Sequence, residues 1–140
     1  MTHVLFTQPW ADALRDTVNA SDAFRRVGAG WGWPVALVLD RAPALGYDGD
    51  TTLLVELAGG ACQRAELVEL ASVEAPFVIA GPYEIWKEVV SGRLDPIAAI
   101  MRRQMRLKGP IATLVQHFAT AKALVECASM VPTRFPDEGR

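Results

Sequence analysis

Residues 81–110 read GPYEIWKEVVSGRLDPIAAIMRRQMRLKGP, and this stretch decides the fold. Gly81-Pro82, Asp95-Pro96 and, at its end, Gly109-Pro110 each set a cap-compatible residue before a proline, an arrangement that starts a helix because the first helical N–H has no intrahelical partner to lose. Three helices are therefore expected. The first runs from Pro82 to Ser91, burying Ile85, Trp86 and Val89 while Glu84, Lys87 and Glu88 face water, and Gly92 ends it. The second runs from Pro96 to about Arg103 with Ile97, Ile100 and Met101 inward. Between the second and third, Met105 and Leu107 alternate with Arg106 and Lys108, the pattern of a short strand with one apolar face. The third helix, Pro110 to Met130, is expected to be about 30 Å long, with Ile111, Leu114, Val115, Phe118, Ala121, Val125 and Ala128 as its apolar stripe.

Upstream of this stretch the chain reads as helix and then sheet. Trp10, Leu14 and Val18 recur at helical spacing, and Ser21-Asp22 can cap a second short helix through Phe24 and Val27. Trp33–Asp40 is a Val- and Leu-rich strand candidate, and 51–57 alternates as another. Gly59-Gly60 marks a hairpin, 61–70 returns, and 76–80 supplies a fourth strand. Downstream, Pro132, Pro136 and mixed charge predict a flexible tail over 131–140, leaving residues 1–130 as one domain.

The residues Trp86, Val89, Gly92, Leu94, Asp95 and Pro96, followed by Met105, Leu107 and Gly109, resemble the C-terminal half of the sterol carrier protein 2 family. There, a helix ends in a Gly-x-Leu-Asp-Pro turn, then come a short helix, a strand closing on Gly and a long last helix. The resemblance is most specific over 76–120 and extends by element order from about residue 30. Gly81-Pro82-Tyr83 and Arg102-Arg103-Gln104 depart from the family's usual polar cap and small-residue turn. The resemblance implies an α+β fold, a five-stranded, mostly antiparallel sheet covered on one side by about five helices and enclosing an apolar tunnel. It also implies binding of a hydrophobic small molecule, a lipid, acyl chain, isoprenoid or sterol. Some members are accessory or dimerisation domains, so a protein-interaction or dimerisation module with a filled core is the first alternative, a homodimer being one form of it. Trp86, Met101, Met105, Leu114, Phe118 and Met130 are the candidate lining residues, since methionine and aromatic side chains adapt to irregular space; the competing reading is plain core.

Composition narrows the remaining classes. The 140 residues carry a net charge of −2 and are 51% apolar, enough for one sizeable core and unsuited to drawing in nucleic acid. Cys62 and Cys127 are far apart and read as reduced core thiols, which suits a cytoplasmic protein. Asp12, Arg15 and Asp16 interrupt any signal-peptide run, and Gln116, His117, Lys122 and Glu126 interrupt any membrane span, so a soluble chain is expected.

Catalytic signals are weak. The glycines at 28, 30 and 32 precede a strand rather than a helix, unlike a dinucleotide loop, and form a flexible connection. Asp48-Gly49-Asp50 lacks the other ligands of a calcium loop and makes a turn. No cofactor or metal is expected. His3 falls in a loose N-terminus. An enzyme acting on a lipid-like substrate through Asp95, Glu66 or His117 is the second alternative, although Asp95 is explained as a helix cap. Arg102, Arg103, Arg106 and Lys108 form the one dense basic cluster; they either meet an anionic head group or membrane, or merely complement a helix C-terminus and a strand's outer face. Trp31 and Trp33 are a patch at the tunnel mouth, a dimer contact or half-buried aromatics.

Overall fold

The computed structural model describes residues 2–138. In chain order the elements are β1 (His3–Val4), α1 (Gln8–Ala20), α2 (Asp22–Val27), β2 (Pro34–Leu39), β3 (Thr51–Ala58), β4 (Ala61–Val68), β5 (Phe77–Gly81), α3 (Tyr83–Val90), α4 (Pro96–Met101), β6 (Arg106–Lys108), α5 (Ile111–Gln116), α6 (Phe118–Met130) and β7 (Thr133–Arg134). Local chemistry accounts for many of the boundaries. The Ser21 hydroxyl accepts from the Phe24 N–H to open α2, and the Asp95 carboxylate accepts from the Ile97 N–H to open α4. Gly59 and Gly60, both at positive φ, form the β3–β4 turn.

The five-stranded sheet has the order β4-β3-β2-β5-β6. All its neighbours are antiparallel except β2 and β5, which run parallel. The parallel pair arises because β3 and β4 fold away from β2 as a meander, after which residues 69–76 bring the chain back across to the free edge of β2. Register puts Val35, Leu37 and Leu53 on the same face as Val55, Phe77, Ile79 and Leu107. On the other face a row runs Glu66, Leu54, Ala36, Val78, Lys108, apolar at its centre and charged at its ends.

The edge strand β4 does not present a bare backbone to solvent. From α1, the Gln8 side-chain amide donates to the Ala65 carbonyl and accepts from the Leu67 N–H, while the Asn19 amide does the same for the carbonyl and N–H of Cys62. Two side chains thus complete the ladder that a neighbouring strand would have supplied.

Three expectations are corrected. The last helix is two helices: at His117 (φ −106°, ψ 34°) the N–H is shared between the Thr113 and Leu114 carbonyls, which breaks the continuous ladder. The segment expected to be loose after residue 130 is docked through residue 138. Val131 is buried, β7 pairs in parallel with β1, and Tyr83 and Lys87 both bond Asp137. Residues 139 and 140 lie outside the described residues. The same β1–β7 pairing holds His3 in a strand rather than a loose end. Two-residue strands carry no readable alternation, so neither was visible in the sequence.

Candidate functional site

The candidate site is an apolar cavity between the inner sheet face and the helices. Its floor is Val35 and Leu37 of β2, Leu57 of β3 and Ile79 of β5. Trp10 and Leu14 of α1 wall it on one side, and Trp86, Val89 and Val90 of α3 on another. Leu114 of α5 and Ala121, Leu124, Val125 and Ala128 of α6 roof it, with Phe6, Trp31 and Pro96 closing gaps. Since α1, α3, α5 and α6 all face the same sheet surface across this space, the helices form one layer over it.

The lining exposes almost no polar chemistry, because its polar atoms are already engaged. The Trp10 indole N–H donates to Thr133 Oγ1 at 2.9 Å, that of Trp31 to the Trp33 carbonyl at 2.8 Å and that of Trp86 to the Val38 carbonyl at 2.8 Å. Each ring therefore offers carbon to the cavity. Thr120 Oγ1 donates to the Val27 carbonyl at 2.8 Å. His117 is the remaining polar side chain of the lining, and its ring lies edge-on to Trp31 and Trp33 with centroids 5.3 and 5.7 Å away.

The cavity measures about 90 Å³. An apolar cavity of about 150 Å³ holds benzene, and pockets for larger ligands span about 300–1,000 Å³. An acyl chain or ring system fits only if the walls separate. The weakest wall is α5, a six-residue helix with one buried side chain, Leu114, set between Gly109 (φ 135°) and the break at His117.

Backbone strain helps to close the site at its other end. Phe6 is buried at φ 56°, a region unfavourable for a residue with a Cβ, and its ring contacts Trp10 and Trp86 with centroids 5.9 and 5.2 Å away. The burial of this ring compensates the strained turn between β1 and α1.

Of the six side chains expected to line a tunnel, Trp86 and Leu114 border this small cavity. Met105 is buried but packs against the Gly81 backbone, where its Cγ and Cε would stand 3.2 and 3.3 Å from an added Cβ. Met101 and Met130 face solvent at 69% and 63% exposure, and Phe118 is also exposed. The reason for Phe118 is the break at His117: a continuous helix would carry Leu114, Val115, Phe118 and Ala121 on one face, but the break rotates α6 so that Thr120, Ala121, Leu124, Val125 and Ala128 point inward. Phe6, Trp10 and Leu14 were missed, whereas Trp31, for which a place at the tunnel mouth was one of three readings, is buried and borders the cavity. The Trp10–Leu14–Val18 periodicity marked a buried face without saying that it bordered a void, and Phe6 gave no signal.

The other candidates stand apart from the cavity. Asp95 caps α4, and Glu66 binds Arg64 through two bonds of 2.7 and 2.9 Å, which hold its carboxyl below the usual range. Arg106 pairs with Asp40, so one of the four cations of 102–108 is already engaged. Burial pushes the Cys62 thiol up to about 11 and raises that of Cys127, leaving both protonated at neutral pH. Among the described residues, no group of His, Cys, Asp and Glu is placed to hold a metal ion, and no helix is long and apolar enough to cross a membrane.

A mixed five-stranded sheet roofed by helices over an apolar cavity defines an α+β domain of one compact architecture. The SCP-2 sterol transfer family matches residues 45–122. A crystal structure of sterol carrier protein 2 is 38% identical, with a TM-score of 0.84 over 91% of this chain and 98% of that one. A conserved hypothetical protein of Thermus thermophilus, for which a sterol carrier assignment is suggested, is 35% identical, with a TM-score of 0.86 over 96% of this chain and 94% of that one. At 16% identity and a TM-score of 0.54, a UbiJ-SCP2 ubiquinone synthesis protein shares the fold over 87% of this chain and 92% of its own. No curated protein matches. The chain belongs to the SCP-2 sterol transfer family.

Proposed function

We propose that this protein binds and carries a hydrophobic, lipid-like molecule, an acyl chain, isoprenoid or sterol, in the cavity beneath α5 and α6. The observation that carries the reading is the lining: side chains from every layer of the fold converge on a space where nearly every polar atom already has a partner. Such a surface gains from any apolar guest, at about 25 cal/mol per Å² buried, and offers little to orient a polar one. Trp86 and Leu114 would touch the guest, together with Trp10, Ala121 and Leu124. No covalent chemistry is required of the protein.

Native mass spectrometry of the freshly purified protein, with extraction of any co-purifying lipid, tests this directly. A stoichiometric acyl, isoprenoid or sterol adduct is expected, together with displacement of a bound fluorescent fatty acid by unlabelled lipid. Ala121→Phe, which projects a ring into the cavity, should abolish both while circular dichroism still reports a folded chain. A clean mass for the protein alone, with no uptake of the fluorescent fatty acid, overturns the proposal and favours an interaction module whose core is filled.

A further inference from the structure

A second cleft, of about 390 Å³, opens where β4 leaves β3. The last β3–β4 pair is Thr52 with Val68; Thr51 still pairs with Leu39 of β2, whereas Glu69 turns away into a single 3₁₀ turn at Leu70–Ser72. The Ser72 hydroxyl donates to the Glu69 carbonyl at 2.8 Å and holds that turn. Thr52 and Val68 stand two residues along from Leu54 and Glu66, so they lie on the sheet face turned away from the cavity. The cleft and the cavity share no lining residue.

Two threonines are buried among the described residues, Thr52 and Thr120, each 4% exposed. Thr120 Oγ1 bonds the Val27 carbonyl, but the Thr52 hydroxyl has no hydrogen-bond partner among the described residues. No fully enclosed side-chain nitrogen or oxygen there lacks a partner, so the Thr52 hydroxyl opens into the cleft that it lines. A hydroxyl held this deep costs stability unless something reaches in to bond it. Its surroundings select the chemistry. Asp50 and Glu69 also line the cleft, and no Lys, Arg or His does. One Asp50 oxygen accepts from the Arg41 N–H at 2.8 Å, and the Glu69 carboxylate has no ion pair among the described residues. Two carboxylates are too few for a metal ion, and among the described residues no group of three His, Cys, Asp or Glu is placed to hold one. An ammonium group suits the set, since its three N–H donors can be shared between carboxylates and a hydroxyl oxygen. Val68, Leu70 and Ala71 add an aliphatic wall beside them.

We infer that this cleft is a second binding site, specific for an aliphatic primary amine. The ammonium sits among Asp50, Glu69 and the Thr52 hydroxyl, and the hydrocarbon lies against Val68, Leu70 and Ala71. The volume falls in the range of about 300–1,000 Å³ usual for small-molecule sites. Because the sheet separates this site from the apolar cavity, it does not depend on the carrier reading.

An amide NMR titration of the full chain with hexylamine, and with hexanoate as a control of equal length and opposite charge, tests the inference. Shifts are expected over residues 50–52 and 67–71 with hexylamine only. Thr52→Val removes the hydroxyl at nearly constant shape, and Glu69→Gln removes one charge at an exposed position. Hexylamine affinity should fall by about tenfold in the first and by about fivefold in the second. Since the Thr52 hydroxyl has no internal partner, Thr52→Val should not lower the melting temperature of the free protein. Neither residue lines the apolar cavity, so uptake of a fluorescent fatty acid should be unchanged in both variants. Hexylamine shifts that survive both substitutions, or that gather at Trp86 and Leu114 instead, overturn the second site alone, as does a titration with no shifts at all. A lower melting temperature in Thr52→Val overturns it too, by showing that the hydroxyl is already engaged. Amine binding as expected without fatty-acid uptake in the unsubstituted chain overturns the carrier reading alone.

Discussion

Tyr47 donates its hydroxyl to the Leu5 carbonyl at 2.6 Å inside the core, and burial pushes its pKa up to about 12. The Leu5 N–H already bonds the Arg134 carbonyl, so this one hydroxyl ties the N-terminal segment to the loop before β3. Tyr47→Phe keeps the ring and strands the carbonyl. The expected loss is about 1–3 kcal/mol of unfolding free energy, measured by urea denaturation at constant m. A change below about 0.5 kcal/mol would mean that water reaches the Leu5 carbonyl and that the segment is less firmly enclosed than the geometry requires. The residue scale is also where the sequence was least informative about the site. Trp86 and Leu114 were legible because helical spacing marked their buried faces. Phe6 was not, because its inward position depends on a left-handed turn and a parallel pairing with residues more than a hundred positions away.

At the scale of elements, helix starts were legible to within a residue because capping and proline chemistry act within four residues: Asp95 caps α4 with Pro96 first in the helix as expected, whereas Pro82 and Pro110 are themselves the cap residues of α3 and α5. Helix continuity was not: Pro110 to Met130 has an unbroken apolar period, and nothing local announces that His117 interrupts it. The C-terminal segment was misread for a related reason. Its prolines and charges look unstructured, yet Asp137 accepts from the Tyr83 hydroxyl at 2.5 Å and from Lys87 Nζ at 2.9 Å, Lys87 also pairs with Glu138 at 2.6 Å, and its ammonium lies 5.3 Å from the Phe135 ring centroid. The Tyr83 hydroxyl, and then the Lys87 ammonium, hold the Asp137 carboxyl below its usual range. With the folded value depressed, its contribution to stability is complete above the unfolded pKa of about 3.9 and is lost as pH falls through the folded value. Lys87 is raised by the Glu138 and Asp137 carboxylates, so its contribution is complete below the unfolded value and is lost as pH rises through the folded one. Asp137→Asn should therefore lower the melting temperature at pH 7 and flatten its decline toward pH 3. An acid decline as steep as that of the unsubstituted chain would show that other carboxylates drive it.

For the whole molecule, the sheet and its helical cover follow from alternation and turn chemistry, whereas the cavity is a residual: the space left when four helices and a twisted sheet fail to close completely. No single residue encodes a void, which is why pattern could indicate apolar faces but not their separation. The present volume of about 90 Å³ sets a demand on dynamics, because a guest larger than benzene requires the roof to lift. Lifting α5 exposes one buried side chain, Leu114, and bends the chain at His117, where the helical ladder is already broken. Hydrogen exchange should accordingly find the amides of α5 opening well below the global unfolding free energy and those of β2 and β3 near it. A bound guest would close that gap. At a free concentration of about 100 Kd it should stabilise the folded chain by about 2.7 kcal/mol, raising the melting temperature by roughly 5–10 °C and slowing exchange in α5 more than in α1. Exchange in α5 that is as slow as in β2, with no thermal shift at saturating fatty acid, would mean that the roof does not open and that the cavity is a packing defect rather than a binding site.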